Sequence, residues 1–176
     1  MMPRRRRSTC SPLRGWRVAL SIIAMGVALA GCGDTVAPDS GAPSPCGSVP
    51  QLDKMVVQRT DSFPQNHFRF DFPALVTVTA PARVQGAARA LCGLPAMPTG
   101  VINCPADFGI SYSVELSAGG EQFALITVDA TGCQTVRGVR ATASWAATSP
   151  GFWPALGNAL ELAHPDNAAF RGTSPA

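Results

Sequence analysis

The tetrapeptide Leu29-Ala30-Gly31-Cys32 decides how much of this chain is left to fold. It closes an apolar run from Val18 to Leu29 that is broken only weakly, at Ser21 and Gly26. Ahead of the run stand Arg4, Arg5, Arg6, Arg7, Arg14 and Arg17, with no acid among them. A positive segment, an apolar segment and small residues at a cut point are the parts of an export signal. A cysteine directly after the cut is what a lipobox requires. A membrane-spanning helix would need about 20 apolar residues, whereas this run stops after about 12 and meets Gly31, Gly33 and Asp34. Residues 1–31 therefore read as a lipoprotein signal peptide, with Cys32 as the lipidation site of the mature chain.

Two consequences follow. Each buried methylene contributes about 0.8 kcal/mol, so two long acyl chains on Cys32 would fix the protein to the outer face of a bacterial cell membrane. The charge also changes sign. Six of the 14 basic residues lie in the leader and all 11 acids lie after it, so eight bases face 11 acids in the mature part. That part is formally −3, against +3 for the whole chain. A nucleic-acid footprint needs clustered Lys and Arg; the mature chain has no such cluster, and no nucleic-acid partner is expected.

Residues 33–50 are rich in Gly, Pro, Ser, Asp and Ala, with only Val36 and Val49 as sizeable apolar side chains. Such a stretch buries too little to offset its ordering entropy. We read 32–50 as the lipidated cysteine and a flexible tether, with an r.m.s. length of roughly 20–25 Å. Residues 51–176 are then one domain.

Within that domain, Met55, Val57 and Arg59 alternate with Val56, Gln58 and Thr60 as a first strand. Phe68, Phe70 and Phe72 set up a second alternation that continues through Val76 and Val78. Pairing Met55 with Phe72 and Val57 with Phe70 would make a hairpin, with Pro73 at a bulge or edge. Pro81 opens a helix whose buried stripe is Val84, Ala87, Ala88, Leu91 and Leu94, ended by Gly93 and Pro95. After an irregular segment, Pro95 to Gly109, Ile110, Tyr112, Val114 and Leu116 alternate with Ser111, Ser113, Glu115 and Ser117. Gly119-Gly120 supplies a tight turn, and Phe123 to Val128 returns as a central strand. Val139 to Trp145 alternates as a fifth strand. A closing helix follows Pro154, with Trp153, Leu156, Leu160 and Ala163 on its stripe. The expected fold is α+β: a single antiparallel sheet of about five strands with two helices packed on one face and two disulfides.

Cys10 leaves with the leader and Cys32 is acylated, so Cys46, Cys92, Cys104 and Cys133 remain in an oxidising compartment. Four cysteines allow three pairings. A turn centred at Gly119-Gly120 brings Cys104 and Cys133 together at the open end of its hairpin. This favours Cys104–Cys133 with Cys46–Cys92; the main alternative is Cys92–Cys104 with Cys46–Cys133. No Cys-x-x-Cys or Cys/His spacing supports zinc, and neither a metal nor a cofactor is expected.

Catalytic signals are sparse. There is no Gly-x-Ser-x-Gly elbow and no phosphate-cradling loop. Asp107-Phe108-Gly109 spells the kinase metal-binding tripeptide without the other kinase parts, and Asp107 reads better as a turn former. His67 and His164 read as surface or capping residues. A non-enzymatic domain is expected.

Two resemblances add to this. Leu94-Pro95-Ala96-Met97-Pro98, Asn103-Cys104-Pro105-Ala106-Asp107-Phe108-Gly109 and Thr131-Gly132-Cys133, with Ser149-Pro150-Gly151-Phe152-Trp153, resemble secreted and lipid-anchored actinobacterial proteins of unknown function. More narrowly, Cys104-Pro105, a short loop, two strands about a glycine turn and a final Cys133 are similar to the C-terminal half of Streptomyces-type subtilisin inhibitors. That resemblance implies a small two-disulfide α+β domain presenting a substrate-like loop to a serine protease, here with Ala106-Asp107 at the scissile bond. This chain departs from the pattern in its small Ala106 at the specificity position, and in Cys46, which precedes the first strand. The resulting expectation is a surface lipoprotein acting as a binding or interaction module. Its candidate contact residues are Met97, Pro98, Pro105, Ala106, Asp107 and Phe108, and its partners are the membrane, through the Cys32 lipid, and an extracellular protein. Protease inhibition is the alternative.

Overall fold

The structure, a computed structural model, describes residues 42–47 and 51–175. The expected signal peptide, Cys32 and most of the expected tether lie outside the described residues. Among these, seven strands form one antiparallel sheet: β1 (Lys54–Asp61), β2 (Leu75–Val78), β3 (Ile110–Ala118), β4 (Glu121–Gln122), β5 (Ile126–Asp129), β6 (Thr135–Arg137) and β7 (Ser144–Trp145). Their order is β2-β1-β3-β5-β6-β7, with β4 paired to β3. The helices are α1 (Pro81–Cys92), α2 (Phe152–Ala159) and the short α3 (Asn167–Arg171).

Alternation in β3 sets the layers. Ile110, Tyr112, Val114 and Leu116 are buried, while Ser111, Ser113, Glu115 and Ser117 lie on the other face. The register sets Met55 against Leu116 and Val57 against Val114, so apolar residues of β1 and β3 share one face. Helix α1 starts with Pro81 at a position that needs no N–H donor, and it buries Val84, Ala87, Ala88 and Leu91. It packs against β1 and α2. An aromatic group fills the core beside it: Tyr112 stacks on Phe72, and Phe170 lies edge-on to both. The buried Tyr112 hydroxyl donates to the Phe170 carbonyl at 2.8 Å. Burial pushes its pKa above the usual tyrosine range, against an opposing pull from Arg59.

The sheet has more strands than expected, and four details differ. The β1 partner is displaced: Met55 pairs with Val78 and Val57 with Val76, not with Phe72 and Phe70. The Phe68–Phe72 alternation belongs to an irregular segment that turns Phe72 into the core, with the Arg59 guanidinium 3.7 Å from the Phe70 ring centre. The hairpin turns at Gly119-Gly120, pairing Ser117 with Gln122, but beyond it Val114 pairs with Ile126, a slip of one residue. Residues Phe123–Leu125 absorb the extra residue, so the return strand is broken there while β5 keeps its central place. The alternating run from Val139 is irregular up to Ala143 and is a strand only at Ser144–Trp145, whereas Thr135–Arg137 supplies an unexpected strand. Helix α2 ends at Ala159, leaving Ala163 exposed and outside it, and a further helix, α3, follows.

Both disulfides have the favoured pairing, Cys46–Cys92 and Cys104–Cys133. The described part of the tether is fastened to the fold. The Pro43 carbonyl accepts from Ala124 N–H at 3.1 Å, Ser44 Oγ donates to the Val139 carbonyl at 2.8 Å, and Pro45 is buried.

Candidate functional site

The Cys104–Gly109 loop is braced on the turn formed by Thr131, Gly132, Cys133 and Gln134. Gly132 N–H donates to the Ala106 carbonyl at 3.3 Å, and Phe108 N–H donates to Thr131 Oγ1 at 3.1 Å. Thr131 Oγ1 in turn donates to Asp107 Oδ1 at 2.6 Å, and the same carboxylate oxygen accepts from Gly109 N–H at 2.9 Å. These two donors, the Thr131 hydroxyl first, hold the Asp107 carboxyl below the ordinary carboxylate value, although partial burial opposes them.

The turn is itself held from behind. Trp145 Nε1 donates to the Cys133 carbonyl and Trp153 Nε1 to Gln134 Oε1, each at 2.8 Å. Gly132 has φ +61°, and a Cβ there would stand 3.0 Å from Asp107 Cβ. The absence of that Cβ lets the loop lie flat on the turn.

Phe108 is 37% exposed and lies 5.7 Å from the Phe68 ring; Phe63 is 43% exposed. Phe63 covers Gly109, where an added Cβ would come within 2.6 Å of its ring. Pro105, Ala106, Asp107 and Phe108 thus form one surface with Phe63 and with Phe68, which its alternation had placed in a second strand. In the sequence, Gly109 marks only the end of the irregular segment; its positive φ of +71° under the Phe63 ring is a finding of the structure. Met97 does not join this surface. Its N–H donates to the Ala143 carbonyl, Ala96 bridges Ser144, and Thr135 Oγ1 lies 3.8 Å from its sulfur, so it extends the β7 edge; Pro98 follows it. Asp107 meets Thr131 rather than a histidine. His67 is exposed after a short 3-10 turn, and His164 is exposed before Pro165. Among the described residues no group of three or more His, Cys, Asp or Glu could hold a metal ion, and no helix is long and apolar enough to cross a membrane.

The loop and the tether attachment stand at opposite ends of β3. Ser62 N–H donates to Gly109 O and Ala130 N–H to Ile110 O at one end. At the other, Phe123 N–H donates to Leu116 O, next to the Ala124–Pro43 bond. The strand rise between Gly109 and Leu116 amounts to roughly 23 Å.

Compared with known proteins, the chain matches no family model, no curated protein and no solved structure.

Proposed function

We propose that the mature protein is a lipid-anchored interaction module on the outer face of a bacterial membrane, with the braced 104–109 loop and its three phenylalanines as the contact surface. The observation that carries this reading is the separation just described. Between a lipid on Cys32 and the first bond to the fold, at Pro43, stand 10 residues, which as a flexible tether would have an r.m.s. reach of about 17 Å. They would hold the fold by the end of the sheet opposite Phe63, Phe68 and Phe108. An exposed aromatic surface directed away from the anchor suits a protein partner.

A photo-reactive residue at Phe108, in the full chain in living cells, is expected to give a discrete crosslinked product. The same residue at Glu121, at the tether end, is expected to give none. Equal products at both positions, or none at Phe108, would sink the reading. Labelling with a fatty-acid analogue checks the anchor, and Cys32→Ser should abolish it.

Substrate-like inhibition across Ala106–Asp107 is the second reading. The Cys104–Cys133 bridge and the Cys104-Pro105 sequence favour it, because a loop ordered in advance loses little entropy on docking. The Ala106 carbonyl, however, already accepts from Gly132 N–H. A protease oxyanion hole would have to displace that bond, so we rank inhibition second. If micromolar mature protein fails to slow a panel of serine proteases, inhibition is excluded.

A further inference from the structure

The two disulfides divide the chain at one joint. Cys46–Cys92 closes within the part that holds β1, β2 and α1, and Cys104–Cys133 within the part that holds β3 to β7, α2 and α3. Among the named strands, the two parts meet where β1 pairs with β3. Neither disulfide spans residues 93–103, so the peptide backbone alone joins the parts covalently there.

That joint is bare. From Pro98 to Pro105, no main-chain N–H or carbonyl has a backbone hydrogen bond among the described residues. The chain is held on either side, by Met97 N–H donating to the Ala143 carbonyl and by Gly132 N–H donating to the Ala106 carbonyl. Between these fixed points Val101 is fully exposed, whereas Ile102 is half-buried. Residues 93–109 contain no Lys or Arg. Gly100 has φ +104°, and a Cβ there would meet nothing within 4 Å. A glycine in open space can swing to an extended backbone at little cost.

We propose that Val101–Ile102 is a processing site, cut by an extracellular endopeptidase whose pocket takes a small aliphatic side chain. Such an enzyme binds its substrate as an added strand and reads one side chain in a pocket. Pro98–Pro105 offers both, an unpaired main chain and a free valine. The lack of a base excludes an enzyme directed to Lys or Arg, and the Gly132–Ala106 bond closes off the stretch that follows. The hydrolysis consumes one water. Its oxygen adds to the Val101 carbonyl carbon as the C–N bond to Ile102 breaks, leaving a carboxylate on Val101 and an ammonium on Ile102.

The cut protein keeps its packing and loses a connection. β1 stays paired with β3 over Lys54–Asp61, α1 stays against α2, and Arg83 stays ion-paired with Glu161. The two parts then form a non-covalent complex, whose stability depends on concentration. With the lipid on the first part and the 104–109 loop on the second, the contact surface is held to the membrane by packing alone and becomes releasable. The release, unlike the cut, rests on the anchored reading given above.

The test treats the full chain, in detergent, with a purified elastase-class serine protease and reads N-terminal sequence, intact mass and gels run without reductant. A new N-terminus at Ile102 is expected, with the two parts separating on the denaturing gel and co-eluting under native conditions. Val101→Asp should slow this cut by about a hundredfold, because an apolar pocket would have to bury an unpaired charge, while Val101→Ala should keep it. Val101→Arg should transfer the cut to trypsin. In envelopes of cells expressing the full chain, Ile102 should appear as a native N-terminus and vanish with Val101→Asp. No cut at Ile102, an equal cut in Val101→Asp, or no Ile102 terminus in cells overturns the proposal. A lasting protease complex with the Val101–Ile102 bond intact also overturns it, in favour of inhibition. Mild urea should strip the second part from washed membranes only after the cut; if both parts of the cut protein are soluble without urea, the anchored reading fails and the cut stands.

Discussion

Replacing Cys104 and Cys133 together by alanine separates two sources of order in the 104–109 loop, the crosslink and the turn beneath it. The crosslink acts on the unfolded chain. For a sequence separation of 29, chain-entropy arithmetic gives a loss of about 12 cal/mol/K, or about 3.6 kcal/mol at 25 °C. The bonds from Gly132 N–H to Ala106, from Phe108 N–H to Thr131 and from Thr131 to Asp107 do not depend on it. Urea unfolding followed by tryptophan fluorescence should therefore show a loss of about 3.6 kcal/mol, with a larger m-value because the released unfolded chain exposes more surface. In the absence of urea, Gly132 N–H should remain protected from exchange. A loss below about 1 kcal/mol with unchanged m would refute the entropic reasoning, and loss of protection at Gly132 would show that the bridge, not the turn, orders the loop. The Cys46–Cys92 bridge, at a separation of 46, should be worth only about 0.4 kcal/mol more by the same arithmetic. A wider gap would measure how much the packing of residues 42–47 adds.

Other substitutions probe single contacts. Tyr112→Phe leaves the Phe170 carbonyl without its buried donor and should cost about 1–2 kcal/mol in urea unfolding. Gly138→Ala combines φ +88° with a Cβ driven into the Leu125 carbonyl; a loss of about 3 kcal/mol or more is expected, read as a fall in Tm. Asp107 has a depressed folded pKa, so its contribution is fully present above its ordinary value of 3.8 and is lost as pH falls through the lower folded value. Asp107→Asn should flatten that acid limb when unfolding is measured from neutral pH down to about pH 2, and an unchanged limb would discount the Thr131 bond.

The legible parts of the sequence were those in which one local signal dominated. Pro81, the Val84–Leu91 stripe and Gly93 bound α1, and strict alternation marks β1 and β3. Gly119-Gly120 fixes a turn position, and that alone was enough to favour the pairing of Cys104 with Cys133. The failures share a cause: alternation does not distinguish a strand from an irregular segment with the same inside–outside rhythm. Phe68–Phe72 alternates because Phe72 stacks on Tyr112 while Phe70 carries Arg59, not because either pairs with β1. Thr135–Arg137 is too short to show a period. The candidate site was half visible. Cys104-Pro105 and Asp107 mark the loop, but Phe63, Phe68 and Thr131 arrive from distant sequence, and no local signal links them to it.

The strength of the proposed contact surface can be bounded, and the bound gives the proposed lipid anchor a second role. An aromatic side chain presents about 200 Å², so Phe63 and Phe108, 43% and 37% exposed, have together about 160 Å² left to bury. At about 25 cal/mol per Å² this yields about 4 kcal/mol, which only meets the low end of the cost of association, about 4–15 kcal/mol. Preorganisation of the loop trims that cost but adds no new area. A surface of this size gives weak binding in free solution. It becomes effective when the partner is held at the same membrane surface, where confinement supplies the concentration that affinity lacks. The Cys32→Ser protein, exported at equal total level, should thus lose most of the Phe108 crosslink although its fold and loop are unchanged. An undiminished crosslink from the unanchored form would show that the contact is larger than these phenylalanines and that the anchor serves only as an address.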